Sequence, residues 1–183
     1  MEPKIIPLIA RESIEERAAA MAHAMAVECP SERPLLVGLL NGAAPFLMAL
    51  VRHWPAAGQA GLEYDFIDVK SYVGTQSSGQ VELVKDTRVD LAGRDVIVVE
   101  DIVDTGLTLH HVLALFKDRN PKSLKVCSLL KKRVERLHEV PVDYCGFEID
   151  DLFVVGFGLD FDGIYRSLNY IAVLELPDGK EPE

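Results

Sequence analysis

The sequence predicts an α/β fold in which a central, mostly parallel sheet is flanked by helices. Short apolar runs with many β-branched residues alternate along the chain with segments of helical periodicity. The apolar runs are unbroken, whereas a strand with one solvated face would alternate apolar and polar residues. They therefore indicate strands that are covered on both faces, as in a parallel sheet between two layers of helices.

Individual elements follow from the same pattern. Ser13, with Glu16 three residues later, predicts a capping box at the start of the first helix. Binding groups in such sheets gather beyond the carboxyl ends of the strands. We predict strands at residues 35–40, 96–99, 124–130 and 153–155, and helices at residues 14–27, 43–51 and 107–116.

Length and charge limit the classes of function. The chain has 183 residues, 49% hydrophobic and 26% charged, which predicts one domain over residues 1–183 with its own core. Its 29 acidic and 19 basic residues give a net charge of −10, which argues against a nucleic-acid partner. No apolar run reaches the about 18 residues of a spanning helix, so no membrane partner is expected. Cys29, Cys127 and Cys145 lack metal-ligand spacing and indicate a reducing, cytoplasmic location.

A polar stretch, YVGTQSSGQ at residues 72–80, interrupts the apolar pattern. It is too polar to pack in a core and too short to link two domains. It predicts a mobile loop between two antiparallel strands. The same composition is equally typical of an ordinary long hairpin loop, so composition alone does not separate the two interpretations.

The segment of residues 96–108, VIVVEDIVDTGLT, carries the strongest chemical signal. A turn centred on glycine exposes backbone N–H groups, threonine hydroxyls add donors, and a helix amino end adds partial positive charge. This combination predicts phosphate binding, with paired acids placed to accept hydrogen bonds from hydroxyls or to hold a hard cation. Taken singly, the Asp or the first Thr could instead be a helix N-cap. The residues are Glu100, Asp101, Asp104, Thr105, Gly106 and Thr108.

An apolar strand followed by acid-acid-x-x-Asp-Thr-Gly-x-Thr resembles the phosphoribosyl-pyrophosphate signature of the type I phosphoribosyltransferases. Four further segments are similar to this family: its pyrophosphate loop at residues 39–46 (LLNGAAPF), the start of its catalytic lid at 70–72 (KSY), and its purine- and metal-binding segments at 128–133 (SLLKKR) and 153–168 (FVVGFGLDFDGIYRSL). This order of motifs looks like the hypoxanthine-guanine phosphoribosyltransferases in particular. The resemblance implies the type I phosphoribosyltransferase fold, with a small hood formed by the chain ends.

The resemblance implies roles for the residues around the phosphate loop. Glu100 and Asp101 would hold the ribose hydroxyls and contribute to the metal environment. Asp104 would be the general base that handles the purine ring proton. The ribose 5-phosphate would be wrapped by the backbone amides and hydroxyls of Thr105, Gly106, Leu107 and Thr108.

The resemblance also implies how the base and the leaving group are bound. Lys132 would donate to the purine 6-oxo group, Phe153 would stack on the base, and the Val154 backbone would meet the neighbouring exocyclic group. Asp160 would bind Mg²⁺ and Arg166 would bind the pyrophosphate. From the residues alone, Lys132 is one of three neighbouring cations and Phe153 has the setting of a core residue.

The pyrophosphate loop would comprise Leu40, Asn41 and Gly42, with a non-proline cis peptide between Leu40 and Asn41. The sequence departs from the family pattern here. Many relatives carry a basic residue where Asn41 stands, and often a second glycine where Ala43 stands. The missing charge at Asn41 would weaken pyrophosphate affinity, while the backbone donor remains.

The implied activity is a Mg²⁺-dependent purine salvage reaction. Hypoxanthine or guanine and phosphoribosyl pyrophosphate would give IMP or GMP and pyrophosphate. Ser71 and Tyr72 would open a mobile lid at about residues 71–80 that excludes water from the reacting sugar. The hood would comprise residues 1–12 and 145–183, and the protein would be a homodimer or homotetramer.

Other functions stay open to different degrees. A transferase for adenine would bring an amino group to Lys132, which is itself a donor, whereas xanthine differs from guanine only at position 2 and stays open. A nucleotide-sensing regulator on the same fold would need a basic patch, which the net charge of −10 argues against. A binding scaffold without turnover would not need Asp104, Lys132, Asp160 and Arg166 together.

Overall fold

The computed structural model describes residues 3–29, 31–71, 81–136 and 138–177. Its strands and helices follow the order β1 (Lys4–Ile9), α1 (Arg11–Glu28), β2 (Leu35–Leu40), α2 (Ala44–His53), α3 (Ala56–Gln59), β3 (Glu63–Ser71), β4 (Val81–Lys85), β5 (Asp95–Val103), α4 (Leu107–Lys117), β6 (Ser123–Lys132), β7 (Tyr144–Ile149), β8 (Val154–Val155) and β9 (Ile171–Glu175).

The central sheet has the strand order β4-β3-β2-β5-β6-β7. Its strands run parallel from β3 to β7, and β4 pairs antiparallel with β3 at the edge. The inner strands β2 and β5 are buried along almost their whole length, because helices cover both faces. The predicted α/β class with a mostly parallel sheet is confirmed.

Two separate apolar cores lie on the two faces of this sheet. One core includes side chains of α1 and α2, and the other includes side chains of α4. The three- and four-residue spacing of the buried α4 positions gives one apolar helix face. It therefore fixes how α4 lies on the sheet, with its amino end directly after β5. These positions are Leu109, Val112, Leu113 and Phe116.

The parallel register brings the carboxyl ends of three neighbouring strands to one edge. Gly38 of β2 pairs with Val99 of β5, so Leu40 and Asp101, two residues further along, reach the same level. Val103 of β5 pairs with Lys131, one residue before the end of β6. The acidic end of β5 is thus flanked by the pyrophosphate-loop segment on one side and the basic end of β6 on the other.

The chain ends form a smaller antiparallel sheet with the order β1-β9-β8. Its apolar core includes Val155, Ala172 and Leu174. The expected hood boundaries differ from this sheet, because residues 145–149 lie in β7 and pair with β6 in the central sheet. Residues 11 and 12 likewise belong to α1.

Helix α1 begins earlier than the sequence predicts. Its N-cap is Ala10, with no side-chain capping bond, so the predicted cap by Ser13 is wrong. Strand β1 ends at Ile9, and a single residue links it to the helix, which places Ser13 inside the first turn. The helix entry is therefore set by the strand that precedes it rather than by a capping side chain.

Within the described ranges, no helix combines the length and apolarity needed to cross a membrane. Cys29, Cys127 and Cys145 are free, and the first two are buried. Burial raises the pKa of the Cys127 thiol, so this side chain behaves as a small apolar core residue.

Candidate active site

A cavity of about 200 Å³ opens at the carboxyl edge of the central sheet. It is lined by residues 100–109, together with Leu39, Leu40 and Val69. The end of β5, the loop after it and the start of α4 therefore form one continuous wall. Every phosphate-loop residue that the sequence predicts lies on it: Glu100, Asp101, Asp104, Thr105, Gly106, Leu107 and Thr108.

The loop between β5 and α4 has the geometry of an anion cradle. Gly106 is the N-cap of α4 and has a left-handed φ of 80°, a conformation that favours glycine. A Cβ atom on Gly106 would lie 2.3 Å from the backbone oxygen of His138, so the glycine also admits the loop that packs against it. Gly106 is the N-cap, so neither Asp104 nor Thr105 holds that position. The Thr105 hydroxyl still accepts the N–H of Leu107, the first residue of α4, at 3.4 Å, whereas the Asp104 carboxylate is paired with Lys132.

Two adjacent acids lie near the carboxyl end of β5 in a poorly solvated position. Glu100 is 8% exposed, and burial, reinforced by the negative charge of Asp101, raises the pKa of Glu100 well above its usual range. Burial also raises the pKa of Asp101, although a hydrogen bond with Glu100 and the Ile102 N–H, 2.7 Å from Asp101 Oδ1, work in the opposite direction. Groups that bring positive charge or hydroxyl donors to this pair would relieve its desolvation.

The segment after β2 lies directly against these acids. The peptide bond between Leu40 and Asn41 is cis, as the resemblance implies. A Cβ atom on Gly42 would lie 1.5 Å from Asp101 Oδ2, so only glycine fits between the loop and the acid. Ala43, where relatives often carry glycine, is fully buried and donates its N–H to the Leu39 oxygen at 3.1 Å.

A second cavity of about 150 Å³ adjoins the first. The two cavities share three residues of the β5 end: Asp101, Ile102 and Asp104. The remaining lining comes from β6, β8 and the segments next to β8: Lys132, Leu152, Phe153, Val154, Leu159 and Asp160. The structure therefore brings together the residues that the resemblance assigns to base and metal binding.

Lys132 is the cation that the second cavity receives from the end of β6. Its Nζ lies 2.8 Å from Asp104 Oδ2 and 3.0 Å from Asp151 Oδ1, and its side chain is 11% exposed. Burial alone would lower the pKa of Lys132, but the hydrogen bonds with Asp104 and Asp151 outweigh burial and raise it. The ammonium is therefore charged at neutral pH and turned towards Asp104.

The two cations beside Lys132 have different partners. Lys131 Nζ lies 3.5 Å from Glu148 Oε1, and Arg133 Nη2 lies 2.7 Å from Asp150 Oδ1. Successive side chains of a strand point to opposite faces, so Lys131 is turned away from the face that presents Lys132. The alternation of side chains along β6 therefore places Lys132, rather than Lys131, in the cavity lining.

Phe153 and Val154 form the wall of the second cavity that belongs to the small sheet. The Phe153 ring packs edge-to-face on Phe161 with their centroids 5.8 Å apart. Its carbonyl oxygen accepts a hydrogen bond from the Leu174 N–H at 3.0 Å, and Val154 pairs with Val173 of β9. Phe153 therefore packs against its neighbours and also lines the cavity, so its position is compatible with both a core role and stacking on a base.

Asp160, which lines the second cavity, forms an ion pair with Arg166. Arg166 Nη2 lies 2.7 Å from Asp160 Oδ1, and its Nη1 donates to the Gly158 oxygen at 2.7 Å. Asp160 Oδ2 also accepts the Gly163 N–H at 2.8 Å, as a turn-forming acid does. The charge of Arg166 also lowers the pKa of Asp101, as a smaller effect than burial, so the pair lies near the acidic end of β5.

The carboxylates at this site fit Mg²⁺ in one particular way. Among the described residues, no group of three or more His, Cys, Asp or Glu side chains could enclose a metal ion. Mg²⁺ does not need such a cage, because it is commonly held by one or two carboxylates and by substrate phosphates. Asp160 on one side, and the desolvated pair Glu100 and Asp101 on the other, are carboxylates of the kind that fit an ion whose remaining ligands come from a phosphorylated substrate.

Of the two expected lid residues, Ser71 ends β3, and Tyr72 with the rest of residues 72–80 lies outside the described residues. The strands on either side, β3 and β4, pair antiparallel, as the sequence predicts.

Several cavity residues were not identified from the sequence. Ile102, Leu152 and Leu159 line the second cavity, but an apolar residue next to a strand has the pattern of core. Asp151 contacts Lys132, which is distant from it in sequence, and nothing in the local sequence of Asp151 indicates that contact. Ile102 alone had a signal, since it lies between the acids and the predicted phosphate loop.

The sequence is similar to known phosphoribosyltransferases. Residues 10–162 match the family model described as phosphoribosyl transferase domain. A hypoxanthine-guanine phosphoribosyltransferase of Bacillus subtilis (strain 168) is 41% identical over 169 residues, 92% of this chain and 92% of that protein. One of Lactococcus lactis subsp. lactis is 41% identical over 169 residues, 92% of this chain and 90% of that protein.

Solved structures agree with the sequence relatives. A hypoxanthine-guanine phosphoribosyltransferase from Bacillus anthracis, with a HEPES molecule in its active site, has a TM-score of 0.86 at 35% identity and covers 96% of this chain and 100% of that one. Hypoxanthine phosphoribosyltransferase from Trypanosoma cruzi in complex with its product IMP has a TM-score of 0.85 at 36% identity, over 92% of this chain and 93% of that one. The chain therefore belongs to the phosphoribosyltransferase family, among the hypoxanthine-guanine phosphoribosyltransferases.

Proposed function

We propose that this protein transfers the phosphoribosyl group of phosphoribosyl pyrophosphate to hypoxanthine or guanine, which gives IMP or GMP and pyrophosphate. One observation carries this proposal: a phosphate-cradle cavity and a cavity with a buried lysine share Asp101, Ile102 and Asp104. A sugar phosphate in the first cavity and a base in the second would meet at these residues. Asp104 would then lie beside the bond that forms between sugar and base.

The first cavity would hold the sugar phosphate. The amides and hydroxyls of residues 105–108 would bind the 5-phosphate at the amino end of α4, where aligned peptide dipoles favour an anion. Glu100 and Asp101 would accept hydrogen bonds from the ribose hydroxyls, which favours their ionised form despite burial.

Asp104 would act as the general base. As the bond between C1′ and the purine nitrogen forms and the bond from C1′ to pyrophosphate breaks, Asp104 would accept the proton of a purine ring nitrogen. In the free protein this carboxylate is paired with Lys132 at 2.8 Å, and its side chain is 47% exposed. It can therefore turn from the lysine to the base without passing through a packed core.

The second cavity would select the base. Lys132 would donate to the 6-oxo group, Phe153 would stack on the ring, and the Val154 backbone would meet the group at position 2. Adenine presents an amino group where Lys132 requires an acceptor, so the site would reject it. Lys132 therefore sets the preference for 6-oxopurines.

The leaving group would be bound at the mouth of the site. Bound Mg²⁺ would neutralise negative charge on the pyrophosphate, held by Asp160 with contributions from Glu100 and Asp101. Arg166 would bind the pyrophosphate together with the backbone of Leu40, Asn41 and Gly42. Since Arg166 and Asp160 are paired in the free protein, their separation would accompany the entry of metal and pyrophosphate.

Further expectations from the sequence complete the proposal. We propose one catalytic domain over residues 1–183 that acts as a homodimer or homotetramer in the cytoplasm, where its free cysteines would stay reduced. Residues 71–80, which begin with Ser71 and Tyr72, would close over the bound sugar and exclude water.

A spectrophotometric assay with four bases tests the function. Hypoxanthine, guanine, xanthine and adenine are each supplied with phosphoribosyl pyrophosphate, with Mg²⁺ or with excess EDTA. We expect turnover of hypoxanthine and guanine that requires the metal, with kcat/KM at least about 100-fold above that for adenine. Equal use of adenine, or no turnover of either 6-oxopurine, would overturn the proposal.

A further inference from the structure

Lys132 has a second acidic partner besides Asp104. Asp151 Oδ1 lies 3.0 Å from Lys132 Nζ, on the segment between β7 and β8. Lys132 is 11% exposed, whereas Asp151 is 68% exposed, so the two charges meet at the boundary between cavity and solvent. The ammonium is held from two sides, by Asp104 within the cavity lining and by Asp151 from outside it.

Binding of a purine changes the first of these two contacts. The base needs the Lys132 ammonium at its 6-oxo group and the Asp104 carboxylate at its ring nitrogen, so the 2.8 Å ion pair between them must open. A poorly solvated ammonium that loses its counter-ion is unstable, because burial disfavours the charged form. A remaining carboxylate partner would offset that loss.

The position of Asp151 is fixed by backbone contacts on both sides. The Leu152 N–H donates to the Asp150 oxygen at 2.8 Å, and the Arg133 N–H donates to the Ile149 oxygen at 2.8 Å. The first bond closes a tight turn around Asp151, and the second ties the start of this segment to the end of β6, next to Lys132. The distance between the two side chains therefore does not depend on a freely moving loop.

We propose that Asp151 is a positioning residue that retains the Lys132 ammonium when a purine displaces Asp104, and directs it to the 6-oxo group. An ammonium carries three donors, so it can bind Asp151 and the purine oxygen at the same time. This inference rests on the proposed role of Lys132 in reading the base. Asp151 itself touches neither substrate nor the reacting atoms in this account.

The chain offers a matched control. Asp150 is the adjacent residue, is also exposed, and pairs with Arg133 at 2.7 Å instead of with Lys132. Asp150→Asn and Asp151→Asn thus remove the same charge one residue apart, but only Asp151 contacts the base-reading lysine.

The test measures the dissociation constants of IMP and AMP by titration calorimetry, which does not depend on turnover. Asp151→Asn should weaken IMP binding about 3- to 5-fold, the effect of losing one partly exposed ion pair, and leave AMP binding within about twofold. Asp150→Asn should leave both nucleotides within about twofold. In a Lys132→Met background, Asp151→Asn should change IMP affinity by less than about twofold, because the residue acts through the lysine.

Different failures point to different errors. If Lys132→Met lowers the affinity for IMP relative to AMP but Asp151→Asn does not, the positioning role is wrong and the proposed base recognition stands. Equal weakening of IMP and AMP by Asp151→Asn would also overturn the positioning role, since a general structural effect does not separate the bases. If Lys132→Met leaves the affinity for IMP relative to AMP unchanged, base reading by Lys132 and this inference fail together.

Discussion

Lys132→Met keeps the aliphatic stem of the side chain and removes its ammonium. The two carboxylates left behind, Asp104 and Asp151, are 47% and 68% exposed, so water can solvate them. The free energy of unfolding should therefore change by less than about 1 kcal/mol, as for partly exposed ion pairs. A change in activity can then be attributed to the lost donor rather than to loss of the fold.

The size of the effect follows from the burial of Lys132. Because this side chain is 11% exposed, its hydrogen bond to the 6-oxo group would be shielded from water. A hydrogen bond to a charged group contributes about 1.5–3 kcal/mol, which corresponds to about a 10- to 150-fold loss of kcat/KM for hypoxanthine. Adenine makes no such bond, so its kcat/KM should not fall, and the wild-type preference of at least about 100-fold should narrow sharply.

Steady-state assays with hypoxanthine and adenine at saturating phosphoribosyl pyrophosphate and Mg²⁺ measure this preference. Lys131→Met is the matched control, because Lys131 pairs with Glu148 and is not part of the cavity lining. It should leave the ratio of the two kcat/KM values unchanged. A Lys132→Met enzyme with the wild-type ratio would refute the reasoning and move base recognition to other residues.

Four further predictions address the rest of the site. Asp104→Asn should lower kcat about 10- to 1000-fold with little change in IMP affinity, as for loss of a general base, and a kcat within twofold of wild type would contradict this role. Asp160→Asn should raise the Mg²⁺ concentration for half-maximal activity before base selectivity changes, whereas an unaltered metal requirement would remove Asp160 from the metal site. Burial raises the pKa of Glu100, so the folded state is destabilised as pH rises through that raised value. Glu100→Gln should therefore increase the melting temperature at about pH 8 and leave it unchanged near pH 4. Equal shifts of the melting temperature at the two pH values would count against the raised pKa. Protease cleavage within residues 71–80 should slow when substrate binds, while equal rates with and without ligand would show a passive loop.

The phosphate loop could be predicted from the sequence because its chemistry is local. The strand, the two acids and the Asp-Thr-Gly turn are contiguous, and the register of a parallel sheet places that run at the binding edge. The sequence does not identify the helix N-cap, because Asp104 and Thr105 are both of residue types that cap helices. Gly106 takes that position because the close approach of His138 requires a residue without Cβ.

The second cavity, to which we assign the base, depends more on contacts between residues that are distant in sequence. The sequence shows three adjacent cations, and the alternation of side chains along β6 places Lys132 in the cavity lining. Asp151 acquires its contact through the turn after β7, and Ile102 through its place between the acids and the loop. The local pattern of Asp151 does not differ from that of an ordinary surface residue, so only the packed structure reveals its contact, whereas the position of Ile102 between the acids and the loop is a signal that the sequence already contains.

The free site holds its charged groups as internal pairs, and this explains how a protein with a net charge of −10 can bind a polyanion. Lys132 is paired with Asp104, and Arg166 with Asp160, so both cations are held at the site before substrate binds. The base would open the first pair, and pyrophosphate with Mg²⁺ would open the second, each supplying the polar partners that the separated residues need. Binding of each component would then exchange one set of ionic contacts for another. The groups that leave the pairs are the ones to which the proposed mechanism gives roles: a general base at Asp104, a donor at Lys132, a metal ligand at Asp160 and a cation at Arg166. The overall negative charge thus matters less than the local arrangement of these pairs, because salt and solvent screen distant charges far more than adjacent, partly buried ones.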